Sequence, residues 1–334
     1  MTVEVWRTPR LSLGTGRRGA RLVVAAGALA GLTLAGAGGT ALAAGTSRLP
    51  PTRAFGSSSR TIVAVGAENE YANVIEQIGG RYVKVSSVLD NPNTDPHTFE
   101  PSPNVAEVVS GAQLILQNGL GYDAFMSKIE SASSNADRKV ITVQTLLRLP
   151  DGTPNPHLWY SPEAMPAVAA AVASDLGALD RAHAAYFTAN VKAFDRSLAP
   201  WLNAIAAFKK RYAGLAVATT EPVADYMLQA IGAHNLTPFG LQADVMNGID
   251  PSPQDISLED NLITSHKVKV FVYNDQVVDS LTTSFRTAAQ KAGIPVVGVY
   301  ETMPVPGYDY QTWMLAEVDA VHKAVAGRIS TERL

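Results

Sequence analysis

Two histidines in matching contexts are the residues of this chain best suited to metal chemistry. His97 lies in the segment Asp95–Pro101 and His157 in the segment Asn155–Trp159; each directly follows a proline. Because proline fixes its own φ and restricts the residue before it, a stiff loop aims each imidazole. The chain has no Cys, so two aimed imidazoles predict a metal site with nitrogen and oxygen ligands rather than thiolates.

Length and composition exclude several classes of protein. The chain has 334 residues, of which 46% are hydrophobic, enough for one large domain or for two lobes. The net charge is −3, and no basic block beyond the extreme N-terminus indicates nucleic-acid binding. The lack of Cys excludes disulfides and a Cys nucleophile.

Residues 1–43 have the pattern of an export signal. Five arginines between positions 7 and 21 precede an uncharged apolar run over 22–42, and the A-x-A motif ending at Ala43 predicts cleavage there. An uncleaved membrane anchor stays open, because about 20 apolar residues can span a bilayer. Residues 44–60 lack periodicity and are predicted to be a disordered leader. We therefore expect a protein exported to the periplasm or to the extracellular face of the membrane, and without a Cys at the cleavage site we expect no lipid anchor.

From Thr61 onwards, short β-rich runs alternate with helical stretches. The apolar patterns predict strands over 61–65, 82–89, 113–117 and 139–143, with helices over 69–78 and 104–110. The alternation repeats in the second half, with strands over 215–219, 268–273 and 296–300 and helices over 223–231, 280–292 and 310–326. This order predicts an α/β fold with mainly parallel sheets covered by helices.

Residues 162–213 interrupt that alternation with a long Ala-rich helical stretch that breaks at Leu179–Asp180. The part from 181 to 212 predicts one helix of roughly 30 residues and about 45 Å, which Pro200 should bend. A helix of that length predicts a rigid spine between two lobes. We expect an N-terminal metal-binding lobe over 61–180, a linking helix over 181–213 and a C-terminal metal-binding lobe over 214–334.

The chain resembles the metal-binding solute receptors of ABC transporters, cluster A-I, which deliver manganese or zinc. The segment Asp95–Pro101 is similar to the family signature D-P-H-x-[FY]-E-P, and Asn155–Trp159 is similar to its second histidine motif. Thr220-Glu221, followed by Tyr226, resembles the start of the second lobe, where the third ligand lies. Tyr300–Thr302 falls where the fourth ligand, usually Asp, is carried. The four motifs occur in family order between about residues 61 and 326.

The resemblance implies two (β/α)4 lobes joined by one long spine helix, with a metal ion held between them and delivered to a membrane permease. The implied ligands are His97, His157, Glu221 and Glu301. Two alternatives stay open: Glu221 could be an acid at the start of a helix, and Asp275 could replace Glu301 as the fourth ligand. We expect a monomer that is not an enzyme.

The implied donor set suits a divalent cation and leaves its identity open. Two imidazoles and two carboxylates carry a formal charge of −2; carboxylates favour manganese, whereas the general affinity order favours zinc. An alternative is a secreted metal-dependent hydrolase that keeps one coordination position open for water. The sequence contains no H-E-x-x-H and no G-x-S-x-G motif to support it. A third reading, a surface adhesin, has no separate support in the sequence.

Overall fold

Two four-stranded sheets, parallel throughout, form the framework of this protein. The structure is a computed structural model that describes residues 61–94, 96–133, 135–304 and 306–334, so the predicted export signal and leader lie outside the described residues. The first sheet has the order β2-β1-β3-β4, and its strands are β1 (Ile62–Glu68), β2 (Val83–Leu89), β3 (Leu114–Gln117) and β4 (Lys139–Thr142). The second sheet has the order β6-β5-β7-β8, and its strands are β5 (Ala216–Thr219), β6 (His234–Asn235), β7 (Val270–Asn274) and β8 (Val296–Val299).

Helices flank both sheets. Those around the first sheet are α1 (Asn69–Gly79), α2 (Pro103–Ser110), α3 (Ala124–Ala132), α4 (Val143–Leu146) and α5 (Ala164–Leu179). Two linking helices follow, α6 (Ala184–Ser197) and α7 (Ala199–Tyr212). Those around the second sheet are α8 (Asp225–Ala230), α9 (Phe239–Met246), α10 (Pro253–Thr264), α11 (Ser280–Lys291) and α12 (Tyr310–Gly327). Across the described residues, no helix combines the length and apolar character needed to cross a membrane.

The long helical link is present, and the predicted α/β fold with two parallel sheets is confirmed. In place of one uninterrupted helix, α6 and α7 follow each other directly and meet at Leu198. Pro200 lies in the first turn of α7, where its missing N–H would have no partner within the helix. Helix α6 packs against α1 and α5, whereas α7 packs against α12, so the link contacts both halves. The lobe boundaries near 180 and 213 stay a prediction.

The largest buried apolar cluster contains residues from both halves of the chain. In β3, Leu114 belongs to this cluster, whereas Ile115 belongs to a second cluster. In β7, Val272 belongs to the large cluster and Phe271 to a third. Because successive strand residues point to opposite faces, each sheet packs one face into the common core and the other against its own helices.

Hydrogen bonds between buried groups also join the two halves. The Tyr310 hydroxyl donates to the Trp159 carbonyl at 2.7 Å. The side chain of Asn69 donates to the Met303 carbonyl at 2.8 Å and accepts from the Met303 N–H at 3.0 Å. The start of α1, the segment between α4 and α5, and the segment between β8 and α12 are therefore held against the opposite half of the molecule.

Candidate metal centre

The candidate site lies at the carboxyl ends of the parallel strands. Glu221 lies two residues beyond the end of β5, Asn274 is the last residue of β7, and Glu301 lies two residues beyond the end of β8. Parallel strands end at a common edge, and open α/β sheets bind their ligands in the crevice beside that edge. The second half therefore presents three polar side chains to one place.

His97 is presented by a single 3-10 turn, Pro96–Thr98. The turn is closed by the Phe99 N–H, which donates to the Pro96 carbonyl at 3.3 Å. The Nε2 atom of His97 lies 3.1 Å from Oε2 of Glu301, and 19% of its side chain is exposed. This imidazole thus reaches the acid of the second half from the edge of the site.

His157 is fully buried and held by one neighbour, Asn155. The Nδ2 of Asn155 donates to the Pro222 carbonyl at 2.8 Å, which turns the Oδ1 of Asn155 towards His157. This Oδ1 accepts from the backbone N–H of His157 at 3.0 Å and lies 2.8 Å from Nδ1 of the His157 ring. Because Oδ1 only accepts, Nδ1 carries the proton and Nε2 presents a lone pair. Nε2 lies 3.2 Å from Oε2 of Glu301. Burial lowers the pKa of His157 and outweighs the opposite effect of the nearby Glu301 carboxylate, so the neutral imidazole is favoured.

Glu301 is a fully buried carboxylate surrounded by hydrogen-bond donors. Its Oε1 accepts from Asn274 Nδ2 at 2.8 Å, and its Oε2 accepts from the Tyr122 hydroxyl at 3.0 Å. Burial alone would raise the pKa of Glu301, but the close approach of His157 and His97 holds this pKa well below its usual range. The Glu301 carboxylate is therefore ionised.

Three of the four ligands predicted from the sequence come together. One ligand atom each from His97, His157 and Glu301 lies within 4.8 Å of the other two. Glu221 is joined to this group through Asn274, whose Nδ2 also donates to Oε1 of Glu221 at 3.0 Å.

Asp275, the alternative fourth ligand, does not belong to that group. Its Oδ2 lies 3.4 Å from Nε of Arg333. The Asp275 side chain therefore takes part in an ion pair just after β7 and is not among the three residues that converge.

Three residues of the site were not predicted from the sequence: Asn155, Asn274 and Tyr122. Asn155 lies two residues before His157, the spacing at which an Asn side chain accepts from the backbone. Asn274 ends a strand, as the polar residues of such sites do. Tyr122 follows the turn Gly119–Gly121, whose residues have φ of 86°, 57° and 81°. No local sequence signal shows that this turn directs a hydroxyl at Glu301, which is 179 residues away.

The aromatic residues beside the two histidines pack in or against the apolar core: Trp159 and Tyr160 are buried, and Phe99 is partly buried. Trp159 is fully buried, and its ring centroid lies 5.4 Å from that of His157. Tyr160 is also fully buried. Phe99 packs against Phe125 with centroids 5.1 Å apart. Core packing therefore explains all three, and Trp159 covers His157 as well.

Comparison with known proteins places the chain in a family. The sequence profile of the ZnuA family, described as "Zinc-uptake complex component A periplasmic", matches residues 65–324, which is most of the chain. The chain belongs to the ZnuA family. The resemblance drawn from the four motifs is thereby confirmed.

Curated relatives of this ZnuA-family protein bind different metals. It is 28% identical to the manganese-binding lipoprotein MntA of Bacillus subtilis over 111 residues, 31% of this chain and 36% of the relative. It is 25% identical to the iron-binding protein YfeA of Yersinia pestis over 253 residues, 71% of this chain and 78% of the relative. The chain thus matches about a third of the first relative and most of the second.

A solved structure shows the same fold. The SBP FpvC of Pseudomonas aeruginosa, in complex with Ni²⁺, superposes with a TM-score of 0.66 at 21% identity, covering 82% of this chain and all of that one.

ZnuA-family proteins are extracytoplasmic metal-binding components of ABC transport systems rather than enzymes. The alternative of a secreted hydrolase finds no support in these comparisons.

Proposed function

We propose that this ZnuA-family protein captures a divalent transition metal ion, manganese or zinc, between its two halves and delivers it to an ABC permease. Membership of the family supports metal capture and the permease as partner. Its relatives and structural neighbours carry manganese, iron or nickel in their names, which supports a transition metal without selecting one.

One observation carries the proposal: hydrogen-bond acceptors converge at the centre of the site. His157 uses its Nδ1 proton on Asn155, and its Nε2 then faces Oε2 of the ionised Glu301 at 3.2 Å. Two facing lone pairs at that distance repel unless a cation or a proton lies between them. A divalent ion would satisfy His157, His97 and Glu301 together.

The proposed ligands are His97, His157, Glu221 and Glu301. Glu221 supplements the three that converge, because it shares the amide of Asn274 with Glu301. Two neutral imidazoles and two carboxylates carry −2, which balances the charge of a divalent ion. This match supports an ion held without a large residual charge in a buried site.

We further propose that the protein acts as an exported monomer without enzymatic activity. Its signal would be cleaved after Ala43, with lobes over 61–180 and 214–334 and a link over 181–213. The relative MntA is named a lipoprotein, but this chain has no Cys to carry a lipid. The intact mass of the exported protein tests the cleavage site and the absence of a lipid. The mass of residues 44–334 alone supports both proposals, and the added mass of a lipid contradicts the second.

Thermal unfolding of the metal-stripped protein, with and without manganese or zinc, tests the function. A ligand that binds only the folded state stabilises it by about 2.7 kcal/mol when its free concentration is about 100 times Kd. We expect a clear rise in Tm with at least one ion, abolished by His97→Ala. As a control, His234→Ala replaces an exposed histidine on β6 and should keep the rise. No rise with either ion would contradict the proposed function.

A further inference from the structure

Asn274 joins the two acids of the site through a single amide nitrogen. The side chain belongs to a residue that is 1% exposed, at the carboxyl end of β7. Its Nδ2 donates to Oε1 of Glu301 at 2.8 Å and to Oε1 of Glu221 at 3.0 Å. An amide nitrogen has two hydrogens, so one goes to each carboxylate.

The orientation of this amide is determined by its other contacts. Oδ1 of Asn274 accepts from the backbone N–H of Gln276 at 3.0 Å. The backbone N–H of Asn274 donates to Oγ1 of Thr220 at 3.0 Å, which fixes the end of the strand. A rotated amide would place Oδ1 against two carboxylates and leave the Gln276 N–H without its acceptor. Asn274 is therefore a fixed donor.

Because of the hydrogen bond from Asn274, the two oxygens of Glu301 have different contacts. Oε1 is directed towards Asn274, whereas Oε2 faces both histidines. A carboxylate can bind a metal through one oxygen or through both. Binding through both would require Oε1 to turn from the amide towards the ion, inside a fully buried site.

We infer that Asn274 is a specificity-determining residue that makes Glu301 and Glu221 each offer one oxygen to the ion. The inference rests on the proposed function and goes beyond it, because it concerns which ion the site prefers. Asn274 acts through the two acids and does not touch the ion itself.

One oxygen from each acid and one nitrogen from each histidine make four donors. Four nitrogen and oxygen donors suit zinc, which is tetrahedral in most protein sites. Manganese takes six ligands, mainly oxygens, and gains more than zinc from carboxylates that bind through both oxygens. Asn274 thus biases the site towards zinc and away from manganese.

Two variants of Asn274 test this inference. Asn274→Leu keeps the number of side-chain heavy atoms and the branch at Cγ and removes both donors. Asn274→Ser leaves one hydroxyl that can donate to only one acid. The dissociation constants of zinc and manganese are measured by chelator competition on the exported protein. We expect the ratio of the manganese to the zinc constant to fall by roughly 10- to 100-fold in Asn274→Leu, the usual scale for residues that orient metal ligands, and by less in Asn274→Ser.

X-ray absorption of the zinc-loaded protein measures the number of atoms bound to zinc, which would not change if Asn274 had only a structural role. We expect four nitrogen and oxygen neighbours in the unaltered protein and more than four in Asn274→Leu. The matched control is Asn190→Ala, which removes an amide that donates to the Ile78 carbonyl at 2.8 Å, outside the site. It should leave both the ratio and the neighbour number unchanged.

The outcomes separate this inference from the function on which it rests. If the unaltered protein binds neither ion, the proposed function fails and the inference fails with it. If it binds metal, but the Asn274 variants weaken zinc and manganese by the same factor and keep four neighbours, the function stands and Asn274 is only structural. A changed ratio with added neighbours supports the inference.

Discussion

At the residue scale, two fully buried glutamates show how their neighbours decide their charge. Glu301 accepts from Asn274 and Tyr122 and lies beside two histidines, and its pKa is low. Glu317 has weaker support: its Oε1 accepts from Trp313 Nε1 at 3.0 Å and from the Tyr160 hydroxyl at 3.2 Å. Burial outweighs these bonds and raises the pKa of Glu317 to about 8. One acid is therefore charged at neutral pH and the other is neutral.

The raised pKa of Glu317 predicts a stabilising substitution. In the unfolded chain a glutamate titrates near pH 4.3, so the folded protein loses stability as pH rises from there towards 8. Glu317→Gln keeps an acceptor for Trp313 and Tyr160 and removes this loss. We expect the variant to be more stable by about 1 to 3 kcal/mol at pH 8 and equal to the unaltered protein near pH 4.

Denaturant unfolding at several pH values measures this difference. Glu107→Gln, at an exposed position on α2, is the control for replacing a surface glutamate by glutamine. A Glu317→Gln variant that is less stable at pH 8 would show that the Glu317 carboxylate is ionised in the folded protein and that its charge stabilises the fold.

The ligating nitrogens predict how metal binding depends on pH. Burial lowers the pKa of His157, so its Nε2 stays free of a proton at neutral pH and is protonated only in acid. Protons then compete with the ion, and the affinity falls as pH falls. We expect the affinity for zinc to change little between pH 8 and 7 and to fall steeply below about pH 6. Calorimetric titrations across this range measure it, and tighter binding in acid would contradict histidine ligation.

At the element scale, the C-terminal segment supports the strand that leads to Glu301. The Gly298 N–H in β8 donates to the Thr331 carbonyl at 2.8 Å, and the Thr331 N–H donates to the Val296 carbonyl at 2.9 Å.

A Cβ atom on Gly298 would lie 2.0 Å from the Glu332 carbonyl oxygen. The close approach of this segment to β8 therefore requires glycine at position 298.

Gly298→Ala is accordingly expected to be destabilising. The backbone at 332 must move, which costs about 1 to 3 kcal/mol, the usual range for a buried clash. Metal binding should also weaken, because β8 ends two residues before Glu301. Thermal unfolding and zinc titration measure the two effects. The matched control, Gly152→Ala, has open space around the added Cβ and should change neither the stability nor the zinc affinity. Equal results for the two variants would show that the C-terminal segment does not support β8.

At the scale of the whole molecule, the two halves are held together by a shared apolar core and by buried hydrogen bonds. They share one apolar core, and buried hydrogen bonds from Tyr310 to Trp159 and between Asn69 and Met303 cross between them. The linking helices contact both halves as well. Wide separation of the halves would expose this core to water, which costs free energy in proportion to the apolar area.

The shared core predicts a small movement when metal binds. We expect the radius of gyration of the metal-stripped protein in solution X-ray scattering to be indistinguishable from that of the loaded protein. Local changes should be confined to the loops that carry His97 and Glu301, and hydrogen exchange should show protection there. A clear decrease in the radius of gyration on loading, as in a hinged receptor with widely separated lobes, would contradict this prediction.

Most elements could be predicted from local patterns. The strands with continuous apolar runs, such as β1 and β7, and the long helices, such as α5 and α12, agree with the prediction within a few residues. The elements that were missed are α3, α4, β6, α9 and α10. Strand β6 has only two residues, too few to show a period, and its assignment depends entirely on pairing with β5.

The sequence by itself determined the alternation of strands and helices, the helical link and the two Pro-His loops, because each depends on residues close together in the chain. Only the tertiary structure decided that Glu301 meets His157, from which it is 144 residues distant, and that one amide of Asn274 serves both Glu221 and Glu301. Such convergence depends on how parallel strands are ordered within each sheet and on how the two halves pack. Local propensity and periodicity carry no information about either, since both are set by burial of apolar faces over the whole chain.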